Sequence, residues 1–108
     1  MAHDFDRPFS DVSTMGSFIA KSNQIAQRFG RYIKAIEISN REYRHRFNRF
    51  AKQNNMKTPP SSVIHIMSGY LVVRRLGTSR QYETWMPDNV FQELYAVVAD
   101  SPKAKRIV

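Results

Sequence analysis

Between Arg41 and Lys52 the chain reads Arg-Glu-Tyr-Arg-His-Arg-Phe-Asn-Arg-Phe-Ala-Lys, so cationic and amide side chains recur at three- and four-residue steps. Wound as an α-helix, this stretch puts Arg41, Arg44, His45, Asn48, Arg49 and Lys52 on one side and Tyr43, Phe47 and Phe50 on the other. A face of this kind suits a phosphate backbone: arginine forks and lysine charges displace counterions, while His45 and Asn48 offer hydrogen bonds. The aromatics fall on the back of the helix, where they serve a core. A single-strand binder, which interleaves stacking rings with cations on one surface, has a different pattern.

A second cluster follows at Arg74, Arg75 and Arg80, close in sequence to Tyr82 and Trp85. An arginine beside these rings makes a pocket for an anionic planar ligand, with the ring stacked on the ligand and the guanidinium on its phosphate. Strand alternation sends Arg74 and Arg75 to opposite faces, so only one of them shares a face with Tyr70. The competing role for these residues is protection of an edge strand, with Trp85 as a core anchor.

Other chemistry finds little support. The histidines His3, His45 and His65 include no two at metal-ligand spacing, and there are no cysteines to supply thiolates or disulfides. Ser61, Ser62 and His65 are neighbours only in sequence, and His65, set in an apolar run, reads as a core histidine. No glycine-rich phosphate loop is present. The expectation is a protein that works by binding, without catalysis, cofactor or metal.

Seventeen basic residues against nine acidic ones give a net charge of +8 over 108 residues. The excess is local: residues 41–57 hold six basic and one acidic group, and residues 101–108 hold three and none. Clustered charge of this kind attracts phosphate. The length suits one domain with a modest core. No apolar run has transmembrane length, and the acidic start is unlike a signal peptide, so the expected location is the cytoplasm.

The elements that must carry these residues follow from periodicity. Residues 1–10 read as an extended arm. Val12, Met15, Phe18, Ile19, Ile25, Ala26, Phe29, Ile33 and Ile36 step by threes and fours, which predicts helix over 11–54 as one long helix or two. Ser39-Asn40-Arg41-Glu42 has the spacing of a capping box and favours a start at residue 40, and Asn54-Asn55 suits the end. Residues 63–86 are rich in β-branched and aromatic side chains and read as a β-hairpin turning at Gly77–Arg80. A helix over 88–99 follows Pro87, and 101–108 is a basic tail. The predicted class is α+β, with the helical half first. A lone hairpin is marginal in water, and the long helix offers a near-heptad stripe, so a homo-oligomer is expected.

Gly69-Tyr70-Leu71-Val72 and then Tyr82, Trp85, Pro87, Phe91 and Tyr95 resemble the ending of many small phage and prophage accessory proteins, roughly Gly-Tyr-x-Val, a turn, and Tyr-x-Ser-x-Ser-Pro-x-x-x-Phe-Glu-x-x-Tyr. Thr84 and Met86 stand in place of the usual serines, Gln92 in place of glutamate, and the turn is longer. The resemblance covers the last third of the chain and implies a genetic context more than a reaction. With the basic helix, it leads to the expectation of a host-defence inhibitor that engages nucleic acid or a host complex handling it. The alternatives are sequestration of a small phosphate-bearing signal such as a cyclic nucleotide at the Arg74–Trp85 cluster, and a DNA-binding regulator or packaging protein.

Overall fold

The computed structural model describes residues 9–59 and 65–98. The expected arm over 1–8, the start of the hairpin at Val63 and Ile64, and the basic tail lie outside the described residues. After a short 3-10 turn at Val12–Thr14 come β1 (Gly16–Ala20), α1 (Asn23–Phe29), β2 (Tyr32–Glu37), α2 (Asn40–Phe50), β3 (Gly69–Arg74), β4 (Tyr82–Pro87), α3 (Asp88–Leu94) and β5 (Tyr95–Val97). The strands form one antiparallel sheet in the order β4-β3-β2-β1-β5.

Alternation along the strands divides the core into two layers. Ala20, Ile33, Ala35, Val72, Met86, Phe91 and Tyr95 form one cluster, closed by Ile25 and Ala26 of α1 and Leu94 of α3. Met15, Ile38, Tyr43, Met56, Leu71 and Val73 form the other, under α2, with Phe47, Phe50 and Trp85 packed against them. Helices therefore cover both faces of the sheet, and α+β is the class observed.

The helical reading of 11–54 is corrected: that span holds two strands and two helices. Its cause lies in β2. Ile33 and Ala35 enter one core layer, while Ile36 and Ile38 enter the other. Ile36 follows Lys34 on the half-buried face, so the apolar residues of β2 do not keep to alternate positions, and the Ile33-to-Ile36 step that imitates a helix crosses the sheet. Two local signals mark the true boundaries. Ser22 Oγ accepts from the Ile25 N–H at 3.2 Å and caps α1, and Gly30 ends that helix with a positive φ of 99°.

The predicted helix over 88–99 is also too long. Asp88–Leu94 is helical, after which Tyr95 turns extended and Tyr95, Ala96 and Val97 pair with Ala20, Ile19 and Phe18. With five strands, two covered faces and the 55–57 segment along the outer edge of β4, the sheet completes its core within one chain. The expected homo-oligomer rested on a lone hairpin and a heptad-like helix; the hairpin is present as β3–β4 but within a five-stranded sheet, and no long helix is found among the described residues.

The start of α2 is as the sequence indicates. Ser39 Oγ accepts from the Glu42 N–H at 3.1 Å, and Glu42 Oε1 accepts from the Ser39 N–H at 2.7 Å. The helix itself stops at Phe50, and the turn after it ends at Asn55, left-handed with φ 53°. Asn40 is buried; its Nδ2 donates to the His65 carbonyl at 3.0 Å and its Oδ1 accepts from the Met67 N–H at 2.9 Å. These bonds tie the head of α2 to the segment entering β3. His65 itself is exposed and outside any strand, so its reading as a core histidine is corrected.

Candidate nucleic-acid interface

Arg41, Arg44, His45, Asn48, Arg49 and Lys52 are all exposed, the first five on the outer face of α2 and Lys52 just beyond its last turn. Tyr43 is buried and Phe47 and Phe50 pack inward, as the wheel requires. From Arg41 to Arg49 the helix rises about 12 Å, which matches the axial span of three to four phosphates on one strand of duplex. At the far end Asn48, Arg49, Ala51, Lys52 and Gln53 line an open concavity of about 430 Å³. Arg49 is held there by rings, its guanidinium 5.3 Å from the centroid of Phe9 and 5.7 Å from that of Phe50, and those two rings meet edge-on at 6.0 Å. Being in the last turn, it also faces the negative end of the helix dipole.

The platform under this face is a polar group that sequence reasoning missed. Arg46 is 2% exposed and Glu83, on β4, is 1% exposed. Arg46 Nε donates to Glu83 Oε1 at 2.7 Å and Nη2 to Oε2 at 3.0 Å, a two-pronged bond between helix and sheet. Its Nη1 donates to the Ser10 carbonyl at 2.8 Å. The Tyr43 hydroxyl donates to the Lys57 carbonyl, which fastens the 55–57 segment to the same assembly. The available signal was the wheel position of Arg46, which falls on the aromatic side of an otherwise basic helix.

Burial, and then the Glu83 carboxylate, push the Tyr43 phenol well above its usual 10.0, while the Arg46 guanidinium pulls it the other way. An unfolded Tyr43 loses its proton near pH 10, when the folded one still keeps it. Stability from this group is therefore full below about pH 10 and falls above it by about 1.4 kcal/mol per pH unit. Denaturant titrations between about pH 8 and pH 11.5 will show that slope, and Tyr43→Phe will reduce it; equal slopes in the two proteins would refute the assignment.

The expected Arg74–Trp85 pocket is not assembled as a whole. Arg74 and Tyr82 do meet, Nη1 donating to the Tyr82 hydroxyl at 3.4 Å. Trp85 lies in the α2 layer on the opposite face, its Nε1 donating to the Ile38 carbonyl at 2.9 Å. Arg75 has left the strand for a left-handed turn with φ 58°, and Arg80 is exposed in the loop. The residues that do join Arg74 are Phe29, whose ring centroid is 3.7 Å from the guanidinium carbon, and Tyr95, whose hydroxyl accepts from Nε at 3.0 Å. Neither had a local signal, since they approach from α1 and β5.

Among the described residues no group of three histidine, cysteine or carboxylate side chains is placed to hold a metal. No helix among them is long and apolar enough to cross a membrane. Comparison with protein-family models, with curated proteins and with solved structures gives no match for this chain.

Proposed function

We propose that this protein acts by stoichiometric binding, engaging nucleic acid through the outer face of α2. The observation that carries the reading is the division of the arginines of that helix. Arg46 is turned inward onto Glu83, whereas Arg41, Arg44 and Arg49 stand outward with His45, Asn48 and Lys52. A basic surface whose helix is fixed to the sheet by Arg46, with further cations exposed along its outer face, suits phosphate contacts at set spacing. The resemblance of the Gly69–Tyr95 segment to phage and prophage proteins supports an accessory role in a mobile element, where occupying a host complex's nucleic-acid site is a useful action.

Duplex binding measured by anisotropy will weaken with salt at a log–log slope of about −3 to −4, as expected for four cations on phosphates. Arg49→Ala will lower the affinity and reduce that slope by about one. Absent binding, or binding indifferent to salt, would sink the nucleic-acid reading. A pull-down from host lysate, with and without nuclease, then separates direct binding from capture of a protein complex.

A further inference from the structure

Arg74 is 8% exposed, on the sheet face covered by α1 and α3. A guanidinium so far removed from water ordinarily meets a carboxylate, because an uncompensated buried charge is costly. None among the described residues lies at ion-pair distance from it. Arg74 is held instead by the neutral phenols of Tyr95 and Tyr82 and by the face of Phe29. Its Nη2 donates to no described residue. Among the described residues no side-chain nitrogen or oxygen sealed from solvent lacks a partner, so this nitrogen opens outward.

Further donors stand at the same place. The Arg28 guanidinium is 5.2 Å from the Phe29 ring that Arg74 also meets, and Arg75 Nη2 reaches the Arg28 carbonyl, so the side chains of Arg28, Arg74 and Arg75 all reach the last turn of α1. The Tyr82 hydroxyl accepts from Arg74 and keeps its own proton to give. Lys57 Nζ lies 5.0 Å from the Tyr82 ring. Several cations with a phenol donor, and no ion-paired acid on Arg74 among the described residues, suit a dianionic group with several terminal oxygens better than a single carboxylate.

We propose that Arg74, Arg28, Arg75 and Tyr82 form a binding site for the phosphate group of a small ligand, with Arg74 Nη2 as the inner donor and Arg28 and Arg75 at the rim. The site is on the sheet face opposite α2, and it stands or falls independently of nucleic-acid binding.

The test is calorimetric titration of the full chain with inorganic phosphate, chloride being adjusted to hold ionic strength constant. Saturable binding is expected, weakened at least fivefold in Arg75→Gly and in Arg28→Gln. Arg75→Gly is the sharper variant: glycine adopts the left-handed φ of this position freely, so the melting temperature without phosphate will hold or rise while phosphate affinity falls. A nucleoside monophosphate titrated alongside separates the sources. Tighter binding than inorganic phosphate indicates a phosphorylated metabolite, and equal affinity indicates free phosphate; either result, if lost in the rim variants, supports the site. No saturable heat, full affinity in both rim variants, or loss only when Arg44 and Arg49 are neutralised would overturn it.

Discussion

Glu83→Ala is expected to destabilise the protein by about 3–5 kcal/mol, because it leaves the Arg46 guanidinium buried without its counter-charge. The pair is nearly sealed from water and meets through two short bonds, so neither solvent nor a rotamer change within the packed layer can replace the carboxylate. Damage would spread beyond the pair: Arg46 also holds Ser10, and the backbone of Glu83 pairs with the segment around Met56. The expected consequence is loss of the seat of α2, and with it the fixed geometry of the basic face. Urea unfolding followed by circular dichroism measures the effect, and a loss below about 1 kcal/mol would show that the pair is not what fastens the helix. Replacing both partners by apolar side chains, Arg46→Met with Glu83→Leu, should recover most of the stability, since the charges are then removed together.

Gly69→Ala is the second large effect, expected at about 3 kcal/mol, the upper part of the range for overpacking. A methyl group there would lie 2.2 Å from Trp85 Cζ2 and 2.4 Å from the Met86 carbonyl oxygen. The first contact needs the indole to leave its place over the strand, breaking its bond to Ile38; the second needs β4 to move away from β3. The backbone of Gly69 is not left-handed, so the requirement is for space alone. Trp85 is the single tryptophan, and its fluorescence should shift to the red in the variant at denaturant concentrations where the parent is folded. An unchanged spectrum with unchanged stability would refute the clash.

This contact also explains much of the Gly69–Tyr95 segment. Gly69 makes room for Trp85, and Tyr70 stacks on Phe91 at 3.9 Å and 13°. Tyr95 and Tyr82 hold Arg74, and Pro87 stands opposite Gly69 in the register. These residues thus join β3, β4, α3 and β5 by packing. Pro87 takes the N-cap position without a side-chain bond, and Asp88 accepts from Gln92 at 3.0 Å and does not cap the helix.

What the sequence disclosed follows from how local each signal was. The capping box at Ser39–Glu42, the left-handed Asn55, the basic and aromatic sides of α2 and the strands around the Gly77 turn all depend on residues a few positions apart, and they were legible. β2 was not, because Ile36, on its half-buried face, breaks the alternation that Ile33 and Ala35 begin. β5 was hidden because Tyr95 continues the helical spacing of Phe91 while its backbone is already extended. The Arg46–Glu83 pair spans 37 positions and Arg74 meets Phe29 from a different element, so no pattern along the chain could join them.

The sheet order carries a consequence for how the molecule comes into being. β1 is flanked by β2 and β5, and Phe18 pairs with Val97 across 79 positions. During synthesis β1 and β2 emerge early, but one side of β1 remains open until nearly all of the described chain has left the ribosome. Closing so distant a pairing is slow compared with local contacts. The nascent protein therefore passes through a stage in which the edge of β1 is bare, and pairing with the short β5 covers it.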